Sequence, residues 1–140
     1  MSKRGYLERW RDPRYVALVW ALYQAWNLDS CSGVPDFYDL GCLEHDAHYR
    51  LHRDLRSLPM GLSPAEIRER AITGSLGGRI ITRLEGDTYF FWFMEWKAAQ
   101  DEWYWRPWHW TTRWRWWYGL RVGAERAWET GPSRLRRGPG

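Results

Sequence analysis

Scarcities narrow this sequence first. Its 140 residues hold two cysteines, too few for a disulfide-built scaffold, although one bridge between Cys31 and Cys42 would tie only a short loop. Long apolar runs are missing too. The stretch from Tyr15 to Trp26 is too short to span a bilayer, is approached through Arg9, Arg11, Asp12 and Arg14, and has no small-residue cleavage site. It reads as an amphipathic helix, with neither a signal peptide nor a membrane span expected. The net charge of +4 is modest, and no nucleic-acid-binding motif stands out, which together argue against a nucleic-acid partner. Acid is scarce at the C-terminal end. From Trp103 onward eight Arg accompany only two Glu, and nine of the thirteen Trp lie between Trp92 and Trp117.

At 44% hydrophobic, the chain is long enough to bury one core. Asp12-Pro13 supplies an N-cap and a first-turn proline, and Tyr15, Leu18, Val19, Leu22, Tyr23 and Trp26 follow at helical spacing, so a helix is expected over 13–27. Residues 27–36 have turn composition. Leu40, Leu43, Ala47, Leu51 and Leu55 predict a second helix from Phe37 to about Leu55. Ser63-Pro64-Ala65-Glu66 is a capping box opening a third, expected to continue to Ile80 although Gly74, Gly77 and Gly78 each weaken it by roughly 1 kcal/mol. Gly86-Asp87 reads as a stop and a new cap for a fourth helix, with a strand the alternative for the first half of TYFFWFMEWKAAQDEW. Trp108, Trp110, Thr112, Trp114, Trp116, Tyr118, Leu120 and Val122 share one parity, and His109, Thr111, Arg113, Arg115 and Arg121 the other, the period of a strand with one apolar and one cationic face. Residues 131–140 read as a disordered basic tail. The fold class is mainly α, with a helical domain over 1–102, a Trp/Arg-rich strand or extended region over 103–130 packed on it, and the tail.

The densest chemistry is CLEHDAHYRLH, residues 42–52. Cys42, His45, His48 or Tyr49, and His52 recur at three- and four-residue steps and share a broad helix face, which permits a zinc site. A structural zinc usually takes paired ligands at each end, and only Cys31 offers the missing partner. His48 and His52 read more simply as ordinary exposed or half-buried histidines. His45 and Asp46 admit another chemistry. Adjacent helical residues point about 100° apart, so His45 can address a water while Asp46 turns to the preceding loop. That loop, with Gly33, Pro35 and Asp36, can offer the carbonyls and carboxylate that calcium requires. An imidazole beside a cation can activate water without any nucleophilic side chain.

The segment CSGVPDFYDLGCLEHDAHYR resembles the active-site signature of phospholipase A₂ enzymes, a calcium loop followed by Asp, Cys, two residues, His-Asp, two residues and Tyr, met here by Asp39, Cys42, His45, Asp46 and Tyr49. The Cys31, Pro35 and Asp36 pattern is closest to the bacterial and fungal secreted branch. The text SPAEIRERAITGSLGG is similar to the second helix of phospholipase A₂ domains carried in viral capsids, with Glu66 where that branch has Asp. The resemblance covers roughly residues 27–80. It implies an antiparallel helix pair with a calcium loop and a calcium-dependent hydrolase that cleaves glycerophospholipid acyl esters. His45 would be the general base, oriented by Glu66 and Tyr49. Asp46, Asp36 and loop carbonyls near Gly33 and Phe37 would hold Ca²⁺, and a Cys31–Cys42 disulfide would anchor the loop. The capsid branch also suggests a phage- or virus-encoded, virion-associated protein.

The Trp/Arg region admits two uses. Trp favours the membrane interface and Arg the anionic headgroups, so Trp108, Trp110, Trp114, Trp116, Arg113 and Arg115 are expected to form a docking surface for a phospholipid membrane. The same side chains suit an interface with other virion proteins, and then the helix pair belongs to a non-catalytic structural or adaptor protein. Many of the thirteen rings must pack in the interior under either reading.

Overall fold

The structure, a computed structural model, describes residues 2–28 and 39–135. Among them are seven α-helices: α1 (Lys3–Glu8), α2 (Pro13–Trp26), α3 (Asp39–Leu51), α4 (Pro64–Thr73), α5 (Arg83–Ala98), α6 (Arg106–Gly123) and α7 (Glu125–Thr130). The mainly α class holds. No strand is present among the described residues, only an isolated antiparallel bridge between Arg53 and Ile80.

Local signals set the helix ends. Asp12 accepts from the Arg14 N–H at 2.9 Å and Pro13 fills the first turn, while Asn27 closes α2 in the left-handed region at φ 51°. Ser63 and Glu66 exchange both capping-box bonds at the start of α4. The expected run of that helix to Ile80 is wrong. Gly74, Gly77 and Gly78 hold φ of 77°, 76° and 95°, which a right-handed helix cannot contain, so the chain stops at Thr73 and returns extended. Along that return the Asp54 N–H donates to the Arg79 carbonyl and the Ile81 N–H to the His52 carbonyl.

The centre of the molecule is α3 against α5. Gly41 lies against the Phe93 ring, His45 against Phe90 and Asp87, and His48 against Tyr89. Rising numbers on one helix meet falling numbers on the other, so the two are antiparallel. Gly41 is what lets them close: a Cβ there would stand 2.2 Å from the Phe93 ring. Helices α1 and α6 lie on further flanks of α5, and α2 packs between α3 and α4.

A second buried cluster joins α1 to α3. Arg9 donates to Asp54 at 2.9 Å and to the Tyr15 hydroxyl at 3.3 Å, and its guanidinium lies over the rings of Tyr6, Tyr15 and Tyr89. Glu44, fully buried, accepts from Tyr6 at 2.6 Å and from Tyr15. Burial pushes the Glu44 carboxyl up to about 7, against the pull of the Arg9 charge and the two tyrosine donors.

The expected C-terminal strand is helical. In α6 the buried or half-buried positions are His109, Thr112, Arg113, Trp116, Trp117, Leu120 and Arg121, a three-and-four spacing. Arg113 and Arg121 therefore do not share a cationic face with Arg115. Arg113 lies over the Phe91 ring on α5, Arg121 reaches Asp87, and Arg115 is exposed. The chain expected to trail from Gly131 packs on α3 instead as far as Leu135, whose carbonyl accepts from the Trp26 indole at 2.9 Å.

Candidate functional site

Helix α3 presents His45, Asp46 and Tyr49, and α5 presents Asp87 between them. Asp87 is fully buried and receives three donors. Its Oδ1 lies 2.9 Å from His45 Nε2 and accepts from the Tyr49 hydroxyl at 2.6 Å. Its Oδ2 accepts from Arg121 Nη1 at 2.8 Å. Burial alone would raise this carboxyl. Hydrogen bonds from His45 and Tyr49 and the Arg121 guanidinium outweigh it and hold Asp87 below the usual range, so it stays charged. Burial, with its bond to Asp87, drives the Tyr49 hydroxyl upward, which keeps it a donor.

Chemical consequences follow for His45. With Nε2 facing a charged carboxylate, that nitrogen carries the proton, and Nδ1 is left as the basic position. The ring packs against Tyr49 and Phe90, with centroids 4.4 and 5.0 Å away, which restricts its orientation. The His45 side chain is 9% exposed.

Glu66 is not part of this arrangement. It is exposed at the start of α4, where its side chain accepts from the Ser63 N–H at 3.3 Å. Hydrogen bonding to Ser63, first to its hydroxyl and then to its backbone N–H, holds the Glu66 carboxyl below the ordinary value. The role assigned to it, orienting His45, is filled by Asp87. Sequence reasoning missed Asp87 because Gly86-Asp87 resembled a helix start. The real start is a capping box between Thr82 and Glu85, which places Asp87 inside α5, on the buried stripe with Phe90, Phe93 and Met94. A carboxylate in such a stripe calls for a partner.

The cysteine and metal assignments divide. Cys42 is disulfide-bonded, so it has no thiolate to offer zinc. Its expected partner Cys31 lies outside the described residues, as do Gly33, Asp36 and Phe37. Asp46 follows His45 on α3, half-buried, with Arg50 Nε at 3.6 Å. It has the hard oxygen that calcium takes. Among the described residues no group of three or more His, Cys, Asp or Glu side chains could hold a metal ion. The other two histidines of the 42–52 stretch serve packing. His48 is fully buried, and burial followed by the Arg9 charge pushes it down to about 3. His52 stacks on Trp128, 3.7 Å between centroids, and bonds its carbonyl at 2.7 Å.

On α6, Trp108, Trp110, Trp114 and Arg115 are exposed, while Trp116 and Arg113 are half-buried. No protein-family model, curated protein or solved structure matches the chain.

Proposed function

We propose that the chain is a calcium-dependent phospholipase A₂-type hydrolase that cleaves an acyl ester of glycerophospholipids. The observation that carries this reading is the contact of Asp87 with His45 Nε2 at 2.9 Å, on a helix antiparallel to the one bearing the His-Asp pair. That geometry leaves Nδ1 for a water, which the signature around Cys42, His45, Asp46 and Tyr49 independently suggests.

His45 Nδ1 takes a proton from water as its oxygen attacks the ester carbonyl, and the charged imidazole is held by Asp87. The same nitrogen then returns the proton to the departing alkoxide, so one ester and one water give a fatty acid and a lysophospholipid. Tyr49 and Arg121 keep Asp87 charged and in place. By the resemblance, Asp46 would hold calcium together with Asp36 and carbonyls near Gly33 and Phe37, and calcium bound there would supply positive charge for the developing oxyanion. A viral or phage origin is proposed on the resemblance to the capsid branch.

The low exposure of His45, with Arg121 and Trp128 packed around Asp87 and Tyr49, favours a second reading. In it the chain is a non-catalytic virion structural or adaptor protein, with α3 and α5 as scaffold and α6 as its interface. Hydrolysis of mixed phosphatidylcholine and phosphatidylglycerol vesicles separates the two. Fatty-acid release that requires calcium and is abolished by His45→Ala supports the hydrolase. A folded protein that releases none under any condition leaves the scaffold reading.

A further inference from the structure

Aromatic rings stand in solvent on α6 and the turn just before it far more than elsewhere. Of the eleven exposed large apolar side chains among the described residues, eight lie between Trp103 and Val122. The sequence from Trp103 to Ala124 contains no Asp or Glu and four Arg. Along α6 an outward stripe of Trp108, Thr111, Arg115, Tyr118 and Val122 is wholly exposed, and Trp110 and Trp114 flank it at 58% and 44% exposure. A groove of about 690 Å³ is lined by Trp108, Arg115, Trp116 and Gly119 among others. Patches of this kind mark an interaction surface.

The chemistry of the patch selects its occupant. A second copy of the chain meeting it face to face would set Arg115, in the middle of the stripe, against its own equivalent, while the exposed Glu102 and Glu125 lie only beyond the two ends of the helix. A nucleic acid would need open ring faces and several free cations. Here the rings lie edge to face on one another, with Trp105 and Trp108 at 77° and Trp110 and Trp114 at 62°. Two of the four guanidiniums are turned inward, onto Phe91 and Asp87. An anionic bilayer surface asks for less: rings that sink to headgroup depth and a few cations beside them. Among the described residues no helix is long and apolar enough to cross a membrane, so α6 would lie in the plane of the surface. We propose that α6 is a docking helix for anionic phospholipid surfaces.

The docking itself does not require hydrolysis. It deepens the hydrolase reading by placing the site, because Arg121 near the C-terminal end of α6 bonds the carboxylate that holds His45.

The test uses the full chain carrying His45→Ala, so that no turnover changes the lipid. Sedimentation is measured with vesicles of phosphatidylcholine alone and of phosphatidylcholine with phosphatidylglycerol. Binding to the anionic vesicles is expected to be at least tenfold tighter, and to weaken with salt. Arg106→Gln with Arg115→Gln should weaken it roughly 30-fold, and Trp105→Ser, Trp108→Ser and Tyr118→Ser together should abolish it. Should the triple variant lose its helical circular dichroism, the single exposed change Arg115→Glu takes its place, with at least tenfold weakening expected. Equal binding to both lipids, no binding, or binding indifferent to these changes overturns the proposal. So does capture of a DNA oligonucleotide, or self-association, that the α6 changes abolish while vesicles are ignored. Binding without hydrolysis by the unsubstituted chain sinks only the hydrolase, and hydrolysis with α6-independent binding sinks only the docking.

Discussion

Arg121 and Asp87 are joined across two helices, with Nη1 2.8 Å from Oδ2, on the carboxylate whose other oxygen holds His45. The Arg121 guanidinium also lies over the Trp117 ring, 5.9 Å from its centroid. One cation thus ties the Trp-rich helix to the buried acid. Asp87 is fully buried and Arg121 about one-third exposed, so the pair is stronger than a surface bridge and weaker than a sealed one.

Arg121→Gln removes the charge but leaves Asp87 buried, which should cost about 1–3 kcal/mol after allowance for the exposed side of the arginine. Urea unfolding at neutral pH measures it. The double variant Arg121→Gln with Asp87→Asn separates pair from position, because the asparagine needs no cation. A coupling of about 1–2 kcal/mol is expected from the cycle. Strict additivity of the two single changes would mean that the bridge contributes nothing.

Asp87 and Glu66 make opposite predictions. If His45 is the general base, Asp87→Asn should lower the rate by a factor on the order of 10³–10⁴, the cost of misdirecting an imidazole held by a carboxylate. Glu66→Ala should leave the rate within about twofold and cost about 1 kcal/mol of stability through the lost cap. Vesicle hydrolysis and urea midpoints on both variants decide it. A large rate loss in Glu66→Ala with Asp87→Asn unaffected would return the orienting role to Glu66.

How much of this was legible can be read residue by residue. The start and end of α2 follow from Asp12-Pro13 and the apolar spacing to Trp26, and α4 opens where its capping box stands. His45 and Asp46 stood out as a pair on the predicted helix and Tyr49 through the resemblance to the phospholipase A₂ signature, and the structure gathers His45 and Tyr49 on one carboxylate. Asp87 was hidden by a glycine that looked like punctuation, although Thr82 and Glu85 spell the same box as Ser63 and Glu66. The strand expected over residues 108–122 failed for another reason. Trp is so frequent there that even-numbered positions are apolar by crowding, whereas burial follows His109, Arg113, Trp117 and Leu120, two of them polar. Period two described the composition, and period 3.6 described the packing.

Gly41 tests the closeness of α3 and α5. A methyl group there would stand 2.2 Å from the Phe93 ring, and Phe93 is itself buried beside Trp10 and Trp96. Alanine is the better helix former by roughly 1 kcal/mol, so propensity predicts stabilisation. Overpacking predicts a loss of about 1–3 kcal/mol or more. The close contact should win, and Gly41→Ala should lower the thermal midpoint. A raised midpoint would mean that the ring moves aside freely and that the helices are not in contact at that level. Gly41→Ala with Phe93→Leu should recover part of the loss.

Glu44 gives the chain a pH dependence of unusual sign for a carboxylate. Its ordinary value in an unfolded chain is 4.5, and burial pushes it up to about 7 in the fold. Between those limits the folded state keeps a proton that the unfolded state has released, so the contribution of Glu44 to stability falls as pH rises through the window and is constant above it. His48 acts the other way, since a buried histidine pushed down to about 3 loses stability as pH falls below 6.5. It is present in both chains when Glu44→Gln is compared with the unsubstituted protein, so it cancels. Glutamine keeps hydrogen-bonding capacity toward Tyr6 and Tyr15 and has no proton to lose. The stability of Glu44→Gln relative to the unsubstituted chain should therefore rise between pH 5 and pH 8 by on the order of 1–3 kcal/mol. Urea midpoints at the two pH values measure the change. A difference that does not move with pH would show that Arg9 and the two tyrosines hold Glu44 ionised throughout, and that the buried cluster of Tyr6, Arg9, Tyr15 and Glu44 carries its charge at no cost in this range.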